Sequence, residues 1–486
     1  MNRIKTTIML VSLFVLQSLS SFGQNVSNSD DDYQGIKPYS QNQWYWQYQG
    51  EAILLRGGSN DDNPFQWNSK ELIEELDLLQ SVGGNYIRNT MSDRDEGNLY
   101  AFKLVEDGKY DLEQWNEEFW NRLTFFLEET AKRGIIVQLT LWDHFDLGSR
   151  QWEKHPWNPH NNLNMDSDTW KGRSDFYATV DKKAEDELAY QQRYIDKLLS
   201  IAFSYGNVLY NINNESSESG DWENYWAIYI KAAAEKAGKK VYVTNMQLSA
   251  SNAVRHVMTH NQIFDFVDIS QNNQDSKGGR GKAHWDNLMF LREKVASNGP
   301  VPMNNVKIYG GSDGSTNFSA GSETEAIDRF WRNIFGGCAS ARFHRPSVPS
   351  KIWGSGLNER VQTNLKALGM LLEKLNIVTC SPHNDLLSPR VSVPSMMEAY
   401  VTAHIGHQYA IYFPQGRYTI NLDPWVYVDK LSLQWLDINS LEWSEPEIVD
   451  VKWEGGKGDW GFRGMVDLET PGNRPCVAFL EVVEVP

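Results

Sequence analysis

The chain has 486 residues, 41% apolar and 22% charged, with 19 Trp, 21 Tyr and 20 Phe. It is too apolar for disorder and long enough for roughly two or three domains with their own cores. Its 46 basic residues against 63 acidic ones give a net charge of −17, which repels phosphate backbones and anionic membranes and argues against nucleic acid as a partner.

In chain order, Arg3 and Lys5 precede an apolar run from Ile8 to Leu16, followed by Ser18, Ser20, Ser21 and Gly23. The run is about half of the roughly 20 residues a membrane span needs, so residues 1–23 are expected to be a cleavable signal peptide. The mature protein is then expected to be exported, periplasmic or secreted, with a polar leader over 24–41. From residue 42 onward strand-like and helix-like patterns alternate. Ala52 to Arg56 reads as a strand and Lys70 to Leu79 as a helix. Asn85 to Met91 is the next strand, and Glu113 to Arg133 the next helix, with Leu123, Phe126, Leu127 and Thr130 on one face. Ile135 to Trp142 is an unbroken apolar strand of the kind buried on both sides in a parallel sheet.

A loop from Asp143 to about Asp181 is longer than a connector needs and is expected to wall a cleft. The alternation then resumes with Glu185 to Ser204 and Val208 to Asn213, and ends with Ala339 to Phe343 and Gly356 to Leu375. Eight such pairs in about 330 residues predict an α/β fold, a (β/α)8 TIM barrel over 42–380. A doubly wound open sheet ranks behind it for want of a glycine-rich phosphate loop. Beyond Cys380, short alternating strands separated by Pro414-Gln415-Gly416 and Gly455-Gly456 predict a C-terminal antiparallel β-sandwich over 381–486, by default a packing module. Cys338, Cys380 and Cys476 are far apart and form no CxxC. They read as small buried residues, not as a zinc site or a nucleophile.

A barrel of this kind builds its site from the C-terminal ends of its strands. Asp61 and Asp62 follow strand one, Arg88 strand two, Trp142, Asp143 and His144 strand three, and Asn214 and Glu215 strand four. Asn272 follows strand six, Lys307 and Tyr309 strand seven, and Arg342 and His344 strand eight. Glu215, behind a buried strand and a run of amides, is placed for partial desolvation and general-acid work. The bland alternative, a carboxylate at the start of the helix holding Trp222, fits Ser219 and Asp221 better. Trp67, Trp142, Trp152, Trp157 and Trp170 fall on or near rim loops, where flat rings could stack on sugars. No HExxH or clustered ligand spacing points to a metal, and no cofactor is expected.

On these residues the chain resembles clan A of the glycoside hydrolases, where an Asn-Glu pair after strand four supplies the acid/base and an Arg after strand two holds the active-site carboxylates. Asn214-Glu215 and Arg88 match those positions. With Phe65-Gln66-Trp67, Arg342-Phe343-His344-Arg345-Pro346 and the C-terminal sandwich, the whole is similar to exported bacterial glycosidase-like proteins assigned a collagen-binding C-terminal domain. The resemblance implies hydrolysis of a polysaccharide or derived oligosaccharide, with Glu215 as acid/base; Asp143, by its place after strand three, is the expected catalytic partner. Arg88, Asn214, Asp62, Trp142, His144, Asn272, Lys307, Tyr309, Arg342 and His344 are the expected substrate-binding set.

One position departs from the pattern. Retaining members carry a nucleophilic Glu at the end of strand seven, where Lys307 stands, and lysine forms no glycosyl ester. Three outcomes stay open: inversion with Asp143, Asp61 or Asp62 as base; retention with Asp313 or Glu323; and a barrel that binds carbohydrate without hydrolysing it. Lys307 reads equally as a lysine paired with a neighbouring carboxylate and as a cation for an acidic or sulfated sugar.

Overall fold

The computed structural model describes residues 33–486, apart from 167, 169, 171, 217–219, 276–281, 312–320, 349–350, 389–397, 455–462 and 484–486. The expected signal peptide and Asp313 lie outside the described residues. A (β/α)8 barrel is followed by an antiparallel β-sandwich. The barrel strands are β1 (Leu55–Gly58), β2 (Tyr86–Thr90), β3 (Ile136–Asp143), β4 (Val208–Asn214), β5 (Val243–Thr244), β6 (Val267–Asp268), β7 (Met303–Asn304) and β8 (Ser340–Phe343). The helices that follow them are α1 (Ser69–Ser81), α2 (Glu117–Lys132), α3 (Glu185–Ala202), α4 (Gly220–Lys236), α5 (Ala250–Thr259), α6 (Lys282–Ala296), α7 (Glu323–Phe335) and α8 (Glu359–Leu372).

Closure can be followed bond by bond. Strands β2 to β5 pair in parallel, as do β6 with β7 and β8 with β1. The gaps are bridged by Asn85 N–H to Arg56 O at 2.9 Å, Asp265 N–H to Val243 O at 2.8 Å, and the parallel bridge Ile308 to Phe343. The interior is partly polar: Gln138 donates to Asp268 at 2.6 Å, and Asn304 donates to the Tyr86 hydroxyl at 3.0 Å.

The expected first strand, Ala52 to Arg56, divides in two. Glu51–Ile53 pairs with Trp46–Tyr48 in a small antiparallel sheet, and the barrel strand begins only at Leu55. The reason is the turn at Gln49-Gly50, with φ of 51° and 87°, the two successive left-handed residues of a tight hairpin. Trp46 from this hairpin donates to Asn304 at 2.8 Å. The supposed leader is also structured where it is described: Ile36 N–H bonds to Gly206 O at 2.8 Å.

In the sandwich, one sheet runs β9 (Ser381–Pro382), β11 (Tyr400–His404), β12 (Gln408–Phe413), β19 (Cys476–Val482), β14 (Lys430–Asp437) and β15 (Glu442–Trp443), with β16 (Glu447–Asp450) also on β14. The other runs β10 (Leu387–Ser388), β13 (Thr419–Leu422), β18 (Arg463–Glu469) and β17 (Lys452–Glu454).

Residues 35–486 form one compact unit. Trp331 of α7 stacks on Tyr412 of β12 at 5.3 Å and 11°, and the Tyr412 hydroxyl donates to Asp328 at 2.6 Å. All three cysteines are buried and unpaired. Among the described residues, no helix is long and apolar enough to cross a membrane.

Candidate active site

Strand β4 runs into Asn214 and Glu215, and the backbone turns left-handed at Glu215, with φ of 53°. A non-glycine residue held this way costs about 1 kcal/mol or more. The turn brings the carboxyl to the residues that follow β7. Its Oε1 is contacted by Lys307 Nζ and accepts from the Tyr309 hydroxyl at 3.3 Å. Burial by itself pushes this carboxyl up, but the Lys307 charge and hydrogen bond, with help from Gln271 and Arg88, outweigh it and hold the group at about 2. Burial lowers Lys307, against the pull of Glu215, to about 8. The paired reading of Lys307 is therefore the one realised, and the carboxyl is ionised at neutral pH.

Asn214 is the hub beside this pair. Its Oδ1 accepts from Arg88 Nη2 at 2.9 Å and from Lys307 Nζ at 2.6 Å, and its Nδ2 donates to Asp143 Oδ1 at 2.9 Å. Arg88 also meets Asp62 Oδ1 at 3.0 Å. Asp62 gathers His344 at 3.3 Å and Arg345 at 3.4 Å. Burial works to raise Asp62, yet His344, Arg88 and Arg345 together hold it well below the usual carboxylate range. Burial pushes both His344 and His144 down to about 4, so both rings are neutral at pH 7. The Tyr309 ring packs against His344 with centroids 4.6 Å apart.

Asp143 is placed differently from expectation. Its Oδ1 accepts from Asn214 and from Phe145 N–H, each at 2.9 Å, its Oδ2 is paired with Arg94, and its side chain is fully buried. A buried carboxylate engaged on both oxygens holds Asn214 in place. Arg94 continues to Asp146 at 3.1 Å, a carboxyl that burial and nearby Asp93 push up to about 7. Asp146 and Asp143 line a partly open cavity of about 30 Å³ with Asp93, His155 and Trp142, room for about one water.

Trp142 does not face the site either. It belongs to a buried aromatic cluster with Trp157, Phe176, Tyr194, Trp222 and Trp226, at centroid distances from 4.9 to 6.2 Å. Trp170 packs on Trp157 and Phe176 in the same cluster. The long loop thus supplies rings to the core. Trp67 donates to Asp61 Oδ2 at 2.9 Å.

Asn272 turns away: its Nδ2 donates to His284 O at 3.3 Å, whereas neighbouring Gln271 is the residue that hydrogen-bonds Glu215. Arg342 is fully buried and donates to Val306 O at 2.8 Å and Asp61 O at 3.1 Å, so it ties together the segments that follow β1 and β7. Glu323 is tied to Asn358 and Arg360 at the start of α8. Sequence reasoning passed over Arg94, Gln271 and Trp353, whose ring lies 6.4 Å from Tyr309.

No protein-family model and no curated protein sequence matches the chain. Solved structures do. A glycoside hydrolase family 5 protein from Bacteroides vulgatus ATCC 8482 is similar with a TM-score of 0.63 and 12% identity over 92% of this chain and 93% of its own. A second glycoside hydrolase gives 0.63 and 13% identity over 93% and 98%. A family 5 mannosidase from Rhizomucor miehei gives 0.51 and 14% identity, with 71% of this chain covering 99% of that one. At these identities the likeness is one of fold.

Proposed function

We propose that the chain is a glycoside hydrolase whose reaction centre is Glu215, and that it works outside the cytoplasm, as its first 23 residues suggest. The observation that carries this reading is the hydrogen-bonded set at the ends of β4 and β7: a carboxyl only 9% exposed, in contact with a lysine and a tyrosine and flanked by Asn214. The fold it shares with glycoside hydrolases supports the reaction class.

In the resting pair the proton resides on Lys307. As Glu215 protonates the glycosidic oxygen and the C–O bond breaks, Lys307 passes its proton to Glu215. Water adds to the anomeric carbon, and its proton goes to a rim carboxylate. Asp61 suits that role: its side chain remains 21% exposed, and burial, opposed by Arg345, raises its affinity for a proton. Lysine at the nucleophile position forms no glycosyl ester, so the reading carries inversion at the anomeric carbon.

The test is Glu215→Gln on a panel of neutral and acidic glycans, with the product anomer followed by NMR. Loss of turnover by about 100-fold or more and an inverted first product are expected; unchanged turnover removes Glu215 from the reaction. One observation favours a second reading, a barrel that binds carbohydrate without cleaving it: the Lys307 contact holds the carboxyl ionised, without the proton a general acid gives. Product from any glycan excludes that alternative.

A further inference from the structure

The barrel loops bury most of their tryptophans, yet the sandwich carries aromatic rings in the open. Trp425 and Tyr427 are 63% and 62% exposed, the most open of the large apolar side chains among the described residues. Both sit between β13 and β14. Single exposed rings are ordinary; two such rings with a third behind them form a patch.

The patch is built. Tyr427 stacks on Trp453 of β17 at 5.1 Å and 18°. Trp453 lies flat because β18 has glycine beneath it: a Cβ at Gly464 would come within 2.8 Å of the Trp453 ring and 2.9 Å of Pro424. The Trp453 indole N–H donates to Val428 O at 3.2 Å. Trp425 is held with φ of 58°, a backbone state bulky residues avoid and one that concentrates at binding and catalytic sites. Its N–H is fixed by Asp423 Oδ1 at 2.9 Å, and the preceding Pro424 carbonyl accepts from the buried Tyr409 hydroxyl at 2.7 Å. The turn is thus supported from below.

The surroundings select the ligand. Asp423 holds the Trp425 N–H and Asp429 hydrogen-bonds Tyr427, His383, 6.5 Å from the Trp425 ring, is paired with Asp385 at 3.3 Å, and Lys430 and Lys452 are taken by Asp450 at 3.8 Å and Asp467 at 2.6 Å. Flat open rings accept the C–H face of a pyranose, and carboxylates beside them accept its hydroxyls. Uronate-rich or sulfated chains are repelled, and a second copy of the chain would set acid against acid. We infer that Trp425 and Tyr427 form a platform on the sandwich for a neutral glycan chain, separate from the Glu215 site. The choice of a glycan rests on the hydrolase reading of the barrel; the architecture of the platform does not.

The experiment is affinity electrophoresis of the full chain, and of its Trp425→Ala/Tyr427→Ala variant, in gels holding galactomannan, xylan or mixed-linkage β-glucan, with polygalacturonate as the anionic comparison. Hydrolysis by the unaltered chain is measured on the same glycans, and thermal melting checks that the variant is folded. Retardation by at least one neutral glycan is expected, weakened about tenfold or more in the variant, with none in polygalacturonate. Equal retardation of both proteins, no retardation by any neutral glycan, or a dimer that the substitutions dissociate overturns the platform. Hydrolysis without patch-dependent retardation sinks the platform alone. Patch-dependent retardation without hydrolysis of any glycan sinks the hydrolase reading alone.

Discussion

Lys307 and Glu215 meet at the barrel mouth as a buried ion pair, the lysine 2% and the carboxylate 12% exposed along their side chains. Each holds the other charged in a place where neither would be charged alone. Removing one partner leaves the other desolvated and unmatched. Glu215→Gln and Lys307→Met are each expected to cost about 3 kcal/mol, while the double variant recovers most of that loss. Denaturant titration of the four proteins gives the coupling; additive losses would mean that the two groups do not support each other.

The pair also sets a pH dependence. Lys307 is lowered to about 8, so the proton needed for the leaving group is present below that pH and lost above it. The rate, kcat/KM, is expected to fall as pH rises through about 8, and Lys307→Met is expected to remove that limb. Glu215 is held at about 2, below its ordinary value of 4.5, so its contribution to stability is present above pH 4.5 and lost as pH falls toward 2. Melting curves of the wild type and Glu215→Gln over that window read the difference.

Asn214 offers an amide N–H₂ to Asp143 and a carbonyl to two cations, a division of labour that a carboxylate cannot copy. Asn214→Asp sets two carboxylates at the 2.9 Å contact with Asp143. A loss of about 2 kcal/mol in stability is expected, together with weakened turnover. Unchanged melting would mean that the hub is dispensable.

Asp146 behaves in the opposite sense from Glu215. Burial and Asp93 raise it from 3.8 to about 7, so the folded protein keeps a proton that the unfolded chain releases above pH 4. Its effect is a loss of stability as pH rises from about 4 to 7. Asp146→Asn is expected to flatten that fall and to stabilise the protein at pH 8 by on the order of 2 kcal/mol. Parallel melting curves for both proteins would contradict this.

The barrel was legible because strand-like and helix-like stretches alternate eight times, and its longest strands, Ile136–Asp143 and Val208–Asn214, are buried at every position. Glu215 and Lys307 were legible from their places at strand ends. Their contact was not, since it depends on the left-handed turn after Asn214. Beyond β6 the reading slipped by one residue, choosing Asn272 over Gln271, because neighbouring amides are chemically alike and only the backbone path separates them. The tryptophans misled for a similar reason: a loop that contributes rings to a buried cluster has the same composition as one that presents rings to sugar. At Trp425 and Tyr427 only the exposure of the rings in the folded chain separates the two cases.

The turn at Glu215 has one more consequence. Glycine or asparagine would occupy that backbone state at less cost than glutamate, so ease of folding and retention of the carboxyl pull in opposite directions at a single codon. In a lineage released from the need for turnover, this side chain would be among the first to drift, and its persistence across related genomes would serve as a record of continued use.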